Sequence, residues 1–195
     1  MKVFDFDNTL YRGESAADLF FFMIKRNRKL KKHLPVILIN LVKYKLCLVD
    51  KDKLESAING LMKAIIRSRE ELLAVTADFW RENSHKLNPG ILRYMAPEDA
   101  VITASPRFLI EGIRDRLPAE TIVCSEVDLD RKCVTWFNFG ENKVKRYNSL
   151  CGDRPVSCFF TDSYNDRAMM KLAGKVFLVR KGRIVKKLNG RQIVM

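Results

Sequence analysis

The chain has 195 residues, 47% of them apolar and 10% aromatic, which is enough to bury a sizeable core and argues against a disordered polymer. Its formal charge is +13, and ten Lys or Arg against two Asp fall between Lys25 and Lys53, a field that suits an anionic partner or substrate. The longest apolar runs, LFFFMI and LPVILINLV, are too short to span a bilayer.

In chain order, KVFDF (2–6) reads as a strand that ends in two acids, Asp5 and Asp7, with Phe6 between them. Alternate strand residues share a face, so the two carboxylates are expected to reach one point while Phe6 packs away. Helical patterns follow from Ser15. The first sets Leu19, Phe22 and Met23 together and runs into KRNRKLKKH; its Phe20, Phe21, Phe22 and Met23 read as helical core rather than pocket. A second begins after Leu34, with Pro35 suited to a first turn. A third follows Asp50 or Asp52 and repeats Leu54, Ile58, Leu61 and Ile65 at helical spacing. In the fourth, Ser68 precedes Glu71 as a capping box, then come Leu72, Val75 and Phe79. NPG at 88–90 and Pro97 read as a return linker. AVITA (100–104), TIVCS (121–125), VSCFF (156–160) and KVFLV (175–179) then alternate with helical stretches, as strands of a buried parallel sheet do. The expected fold is α/β: a parallel-sheet core from 1–13 and 96–195 with helices on both faces, and an all-helical domain inserted over 14–95.

Ligands of an open parallel sheet sit at the carboxyl ends of its strands. The first strand delivers Asp5 and Asp7 there. AVITASP delivers Thr103, with Ser105 and Pro106 opening a helix. VSCFFTDSYND delivers Asp162, with Asp166 four residues on, and GENKVKRY brings Lys143 and Lys145. Acids gathered at one point repel and raise one another's pKa. A hard divalent cation such as Mg²⁺ relieves this while keeping positions for water and phosphate oxygens. The lysine and the hydroxyl suit the remaining phosphoryl charge, and N–H groups near Ala104 and Ser105 add donors. His33 and His85 both lie in the helical stretch, so a carboxylate must be nucleophile or base. Phosphoryl transfer is the chemistry these parts fit. Taken singly, Thr103 also reads as a helix cap, Asp162 as an N-cap before SYNDRAMM, and Asp166 as a first-turn acid favoured by the helix dipole.

Together these residues resemble the motifs of the haloacid dehalogenase superfamily. DFDNTL resembles its first motif, DxDx(T/V), and Thr103 in ITASP resembles the Thr/Ser of the second. Lys143 in GENKVKRY resembles the third motif's lysine, an alignment that favours it over Lys145, and TDSYND resembles the acidic fourth. The helical stretch between motifs one and two resembles the cap of the phosphoserine-phosphatase-like subclass IB. The resemblance implies a Rossmann-like α/β core with a helical cap and a Mg²⁺-dependent phosphatase. Asp5 would attack phosphorus to form an aspartyl-phosphate, and Asp7 would act first as general acid and then as general base. It implies metal ligation by Asp5, the Asp7 backbone carbonyl and Asp162, and phosphate contacts from Thr103, Ala104 and Lys143. Asp166 would position Lys143 or the metal's waters. Phosphoserine phosphatases follow their second-motif residue with two glycines, whereas Thr103 is followed by ASPRF, a departure that bears on the substrate. Glu14 lies where they keep a glutamate for the substrate amine, although a helix N-terminal acid accounts for it equally. For a substrate carboxylate only Arg67 and Arg69 offer themselves.

The expected partner is a phosphorylated small molecule: a metabolite phosphate, or an anionic lipid phosphate that the basic stretch would meet at a membrane surface. No specific nucleic acid is expected. A phosphomutase or phosphotransferase on the same scaffold is the enzymatic alternative, separated by release of free phosphate. A non-catalytic nucleic-acid-binding module is another, marked by steep salt dependence. Five cysteines without CxxC, and no leader-like start, fit a reduced, cytoplasmic chain, at most peripheral to the inner membrane surface.

Overall fold

The computed structural model describes residues 1–45, 48, 50–152 and 154–190; Cys47 lies outside them. Runs rich in Val, Ile and Phe form β1 (Lys2–Phe4), β2 (Ala100–Pro106), β3 (Thr121–Asp128), β5 (Val156–Thr161) and β6 (Ala173–Arg180), all parallel to their neighbours among these five. Two strands absent from the sequence reading, β4 (Cys133–Trp136) and β7 (Arg183–Asn189), pair antiparallel at the two edges. The sheet order is β4-β3-β2-β1-β5-β6-β7, with β1 central. β7 carries Lys186 and Lys187, exposed edge charges of the kind that discourage pairing with another chain.

Four longer helices lie between β1 and β2: α1 (Ser15–Arg26), α2 (Leu34–Lys45), α3 (Lys51–Ile65) and α4 (Arg69–Asn83). Their ends follow the local signals. Asp50 accepts from the N–H groups of Asp52 and Lys53, and Ser68 accepts from Glu71 N. Four more helices follow: α5 (Pro89–Leu92), α6 (Arg107–Glu111), α7 (Glu141–Cys151) and α8 (Arg167–Leu172).

Alternation along the strands divides the core. Val3, Ile102 and Val123 pack on one face with Tyr147, Met169 and Met170 from α7 and α8. Phe4, Val101 and Ile122 pack on the other with Leu109 and Ile110 of α6. Leu19 and Phe22 of α1 and Phe79 and Trp80 of α4 join this second cluster, so these helices share the sheet's own core. Each such side chain stabilises the fold by about 1.5–3 kcal/mol when fully buried. Phe20 instead packs with Ile24, Leu30 and Ile37 among the helices, so the aromatic run serves two cores. The NPG segment is not a loose linker. Asn88 is buried, its backbone N donates to Leu10 O at 2.7 Å, and its Nδ2 donates to Thr9 O and Gly182 O at 3.0 and 3.1 Å.

Candidate active site

β1 stops at Phe4, earlier than the apolar pattern suggests, and the chain turns over the next nine residues. The Phe6 carbonyl accepts from the N–H groups of Thr9, Leu10 and Tyr11, and Asn8 N donates to Gly13 O at 2.9 Å. Asn8 has φ 55° and Gly13 φ 147°, left-handed values that Asn tolerates and Gly adopts freely. Asp7 is therefore aimed by this turn and not by strand alternation. Phe6, as expected, is fully buried, stacked on Tyr11 with ring centroids 5.9 Å apart.

Asp5 directly follows β1, its N–H still donating to Phe160 O at 2.8 Å. The side chain is buried, and its Oδ1 accepts from Lys143 Nζ at 2.8 Å. Lys143, 1% exposed on the third residue of α7, also donates to Asp166 Oδ1 at 2.6 Å. Asp166 Oδ2 in turn accepts from Thr161 Oγ1 at 2.8 Å. Lys145, by contrast, is exposed. Burial alone would lower the Lys143 pKa, but the Asp166 and Asp5 carboxylates outweigh it and hold it above the ordinary value. Burial pushes Asp5 well up; Lys143 pulls it back, while Asp166 and Asp162 push it further.

Asp7 has different partners. Its Oδ1 accepts from Ser15 N at 2.6 Å, at the start of α1, and its Oδ2 accepts from Ser105 Oγ at 2.7 Å. Ser15 Oγ and Ser105 Oγ lie 3.0 Å apart, closing a three-residue polar ring. Burial raises the Asp7 pKa despite these bonds. Asp162 follows β5, and burial together with the charges of Asp166 and Asp7 lifts its pKa to about 7. It caps no helix: Ser163 does that, accepting from Asn165 N. Asp166 does stand at the start of α8, as its first-turn reading expects, and its oxygens are bonded to Thr161 Oγ1 and Lys143 Nζ.

The β2 end is built by a register shift between Ile102 and Pro106 that takes Thr103, Ala104 and Ser105 off the regular ladder. Helix α6 begins only at Arg107, so Ala104 and Ser105 are strand-end residues and not a helix start as expected. Thr103 is fully buried and its Oγ1 accepts from Ser105 N at 3.0 Å. Two side chains that sequence reasoning passed over hold this segment. Asn138 Nδ2 donates to Thr103 O and Val123 O at 2.9 and 3.2 Å, and Ser125 Oγ donates to Ala104 O at 2.7 Å. A lone Asn among aromatics in FNFG was the only available signal. Asn138→Ala is expected to destabilise the fold by about 1–3 kcal/mol, the cost of leaving buried carbonyls unpaired. Chemical denaturation would measure it.

The remaining candidates divide. Glu14 stands at the foot of α1 with Oε1 accepting from Asn8 Nδ2 at 2.7 Å, and with Asp7, Ala104 and Ser105 it lines one cavity. Arg67 and Arg69 are not brought there; Arg69 lines a separate surface groove with Arg107, Glu111 and Glu126. Among the described residues no three or more His, Cys, Asp or Glu side chains form a ready metal-binding group, and no helix is long and apolar enough to cross a membrane.

The family model of haloacid dehalogenase-like hydrolases matches residues 3–171, most of the chain. Among solved structures, a protein of unknown function from Bordetella pertussis Tohama I superposes with a TM-score of 0.69 at 18% identity, covering 88% of this chain and 85% of that one. A phosphoserine phosphohydrolase-like protein from Francisella tularensis subsp. tularensis SCHU S4 gives 0.64 at 18% identity over 91% and 87% of the two chains. A phosphoserine phosphatase, solved as an analogue of its phospho-aspartyl intermediate, gives 0.54 at 14% identity over 90% and 84%. These are likenesses of fold. No curated protein matches the sequence. With its motifs on adjoining strand ends and the family model running from β1 through β5 and the helices between, the chain belongs to the haloacid dehalogenase-like hydrolases.

Proposed function

We propose that this hydrolase is a Mg²⁺-dependent phosphatase that cleaves a phosphate monoester through an aspartyl-phosphate on Asp5. The observation that carries the reading is the unlike setting of two neighbouring carboxylates: Asp5 against the Lys143 ammonium, Asp7 against a hydroxyl and an amide. Unlike settings are how one site assigns two acids to two roles. Oδ1 of Asp5 is engaged by Lys143, which leaves Oδ2 as the attacking atom. It forms the bond to phosphorus as the ester P–O bond breaks. Asp7, held by Ser15 N and Ser105 Oγ, acts as general acid and gives a proton to the departing oxygen. Asp7 then takes a proton from a water that attacks the phosphorus, breaking the bond to Asp5 and releasing inorganic phosphate. Lys143 and the Thr103 hydroxyl would hold phosphoryl oxygens, and Ala104 would add its backbone. Asp166 would hold Lys143 in place.

The donor set fits Mg²⁺. Asp5 and Asp166 share one buried ammonium, and burial, with the repulsion of neighbouring acids added to it, raises the pKa values of Asp5 and Asp162. Asp5, the Asp7 carbonyl and Asp162 would hold the ion, a set with only two side-chain ligands. Bound there, it would neutralise phosphoryl charge and act as a Lewis acid.

The test is release of inorganic phosphate from p-nitrophenyl phosphate with Mg²⁺. EDTA is expected to cut the rate roughly a hundredfold or more, consistent with several kcal/mol from the metal, and added Mg²⁺ to restore it. Full activity in EDTA would remove the metal from the reading, and no phosphate release would overturn it.

A further inference from the structure

Asp7 and Ser105 are among the few polar residues lining a cavity of about 260 Å³ whose walls come from α1, α2, α3, α4 and α6 and from β2, β3 and β4. Apart from Asp7, Glu14, Asn40, Ser105 and Ser125, the described lining residues are all apolar, and none is Lys, Arg or His. A phosphorylated amino acid placed here could bring its ammonium only to Glu14 and would find no cation for its carboxylate, and the hydroxyls of a sugar would mostly face Leu, Ile, Met and Phe. Val36 lines the cavity and is 46% exposed, and the opposite face of α2 presents Leu38, Ile39 and Val42 to solvent at 46, 55 and 57%. The turn before α2, Arg28–His33, carries four Lys or Arg and no acid. An apolar cavity beneath a helix whose outer face is apolar and whose preceding turn is basic matches a molecule with an aliphatic chain and an anionic head.

We infer that the substrate is an amphiphilic phosphate monoester whose aliphatic chain occupies this cavity while its phosphate meets Asp5. The inference rests on the phosphatase reading above and adds the chemical class of the leaving group. The shared chemistry admits two sources, a single-chain phospholipid in a bilayer or a free amphiphile.

The experiment measures kcat/KM with Mg²⁺ for n-alkyl phosphates from ethyl to decyl, each below its micelle concentration, beside phosphoserine, glycerol 3-phosphate and p-nitrophenyl phosphate. The ratio is expected to rise by up to about fourfold per added methylene, the value for full burial, and to level off once the cavity is filled. Ala57→Phe, which puts bulk into the α3 wall, is expected to move that plateau to a shorter chain; the wild-type series stands without it. Hydrolysis of oleoyl lysophosphatidate embedded in anionic phosphatidylglycerol vesicles identifies the bilayer source, and hydrolysis confined to monomeric alkyl phosphates identifies the free amphiphile. A flat chain-length profile, or phosphoserine cleaved faster than octyl phosphate, overturns the inference and leaves the phosphatase reading intact. If p-nitrophenyl phosphate is not cleaved either, the phosphatase reading fails and takes this inference with it.

Discussion

Asp5→Asn is expected to lower kcat on the order of 10⁴- to 10⁶-fold, the scale seen when a catalytic nucleophile is removed. Phosphate monoesters hydrolyse so slowly unaided that rate enhancements up to roughly 10²¹ are required, which leaves little room for an alternative route through Asp7. The amide keeps the shape of the carboxylate, and its oxygen can still accept from Lys143 Nζ. It also removes a buried carboxylate charge that the neighbouring Asp166 and Asp162 disfavour. Stability is therefore expected to hold or rise, by thermal unfolding, while turnover vanishes. Loss of activity accompanied by unfolding would point to a structural role for Asp5 instead.

Lys143→Met is expected to act in the opposite way on stability. The ammonium is 1% exposed and bridges Asp5 and Asp166 at 2.8 and 2.6 Å. Removing it leaves two buried carboxylates without their counter-charge, a change that costs about 3–5 kcal/mol when a buried pair loses one partner. Methionine fills much the same volume, so the loss is electrostatic and not a cavity effect. Chemical denaturation at neutral pH reads it directly. A variant within about 1 kcal/mol of the wild type would show that the pair contributes little, as exposed ion pairs do. Lys145→Met, on the exposed side of the same helix, is the control and should leave stability nearly unchanged.

These two residues also show what could be read before folding. Asp5 and Asp162 were legible as site candidates because each directly follows a Val- or Phe-rich strand, and strand ends in a parallel sheet converge; Asp7 and Asp166 lie in the turns just beyond. Lys143 was favoured over Lys145 only by motif alignment; burial of one face of α7, a tertiary property, puts Lys143 inside and Lys145 outside. Helix starts at Asp50 and Ser68 were local, so they appear where the capping residues predict. Strand β7 was hidden because an exposed edge strand with Lys186 and Lys187 has no apolar alternation to reveal it. The clamp formed by Asn138 and Ser125 on Thr103 and Ala104 joins residues up to 35 apart in the chain and has no local pattern. The cavity was less legible still. Its walls come from five helices and three strands, and α1 contributes Phe20 and Met23 to it while turning Phe22 into the main core.

The central claim is that the phosphoryl group passes through Asp5. It is tested most directly by quenching turnover of p-nitrophenyl phosphate, reducing acyl phosphate with borohydride, and sequencing the tryptic peptide spanning residues 3–12 by mass spectrometry. That peptide holds both first-motif acids. Modification confined to Asp5, and absent from Asp5→Asn, is the predicted result. Modification at Asp7, or steady turnover with neither acid labelled, would contradict it.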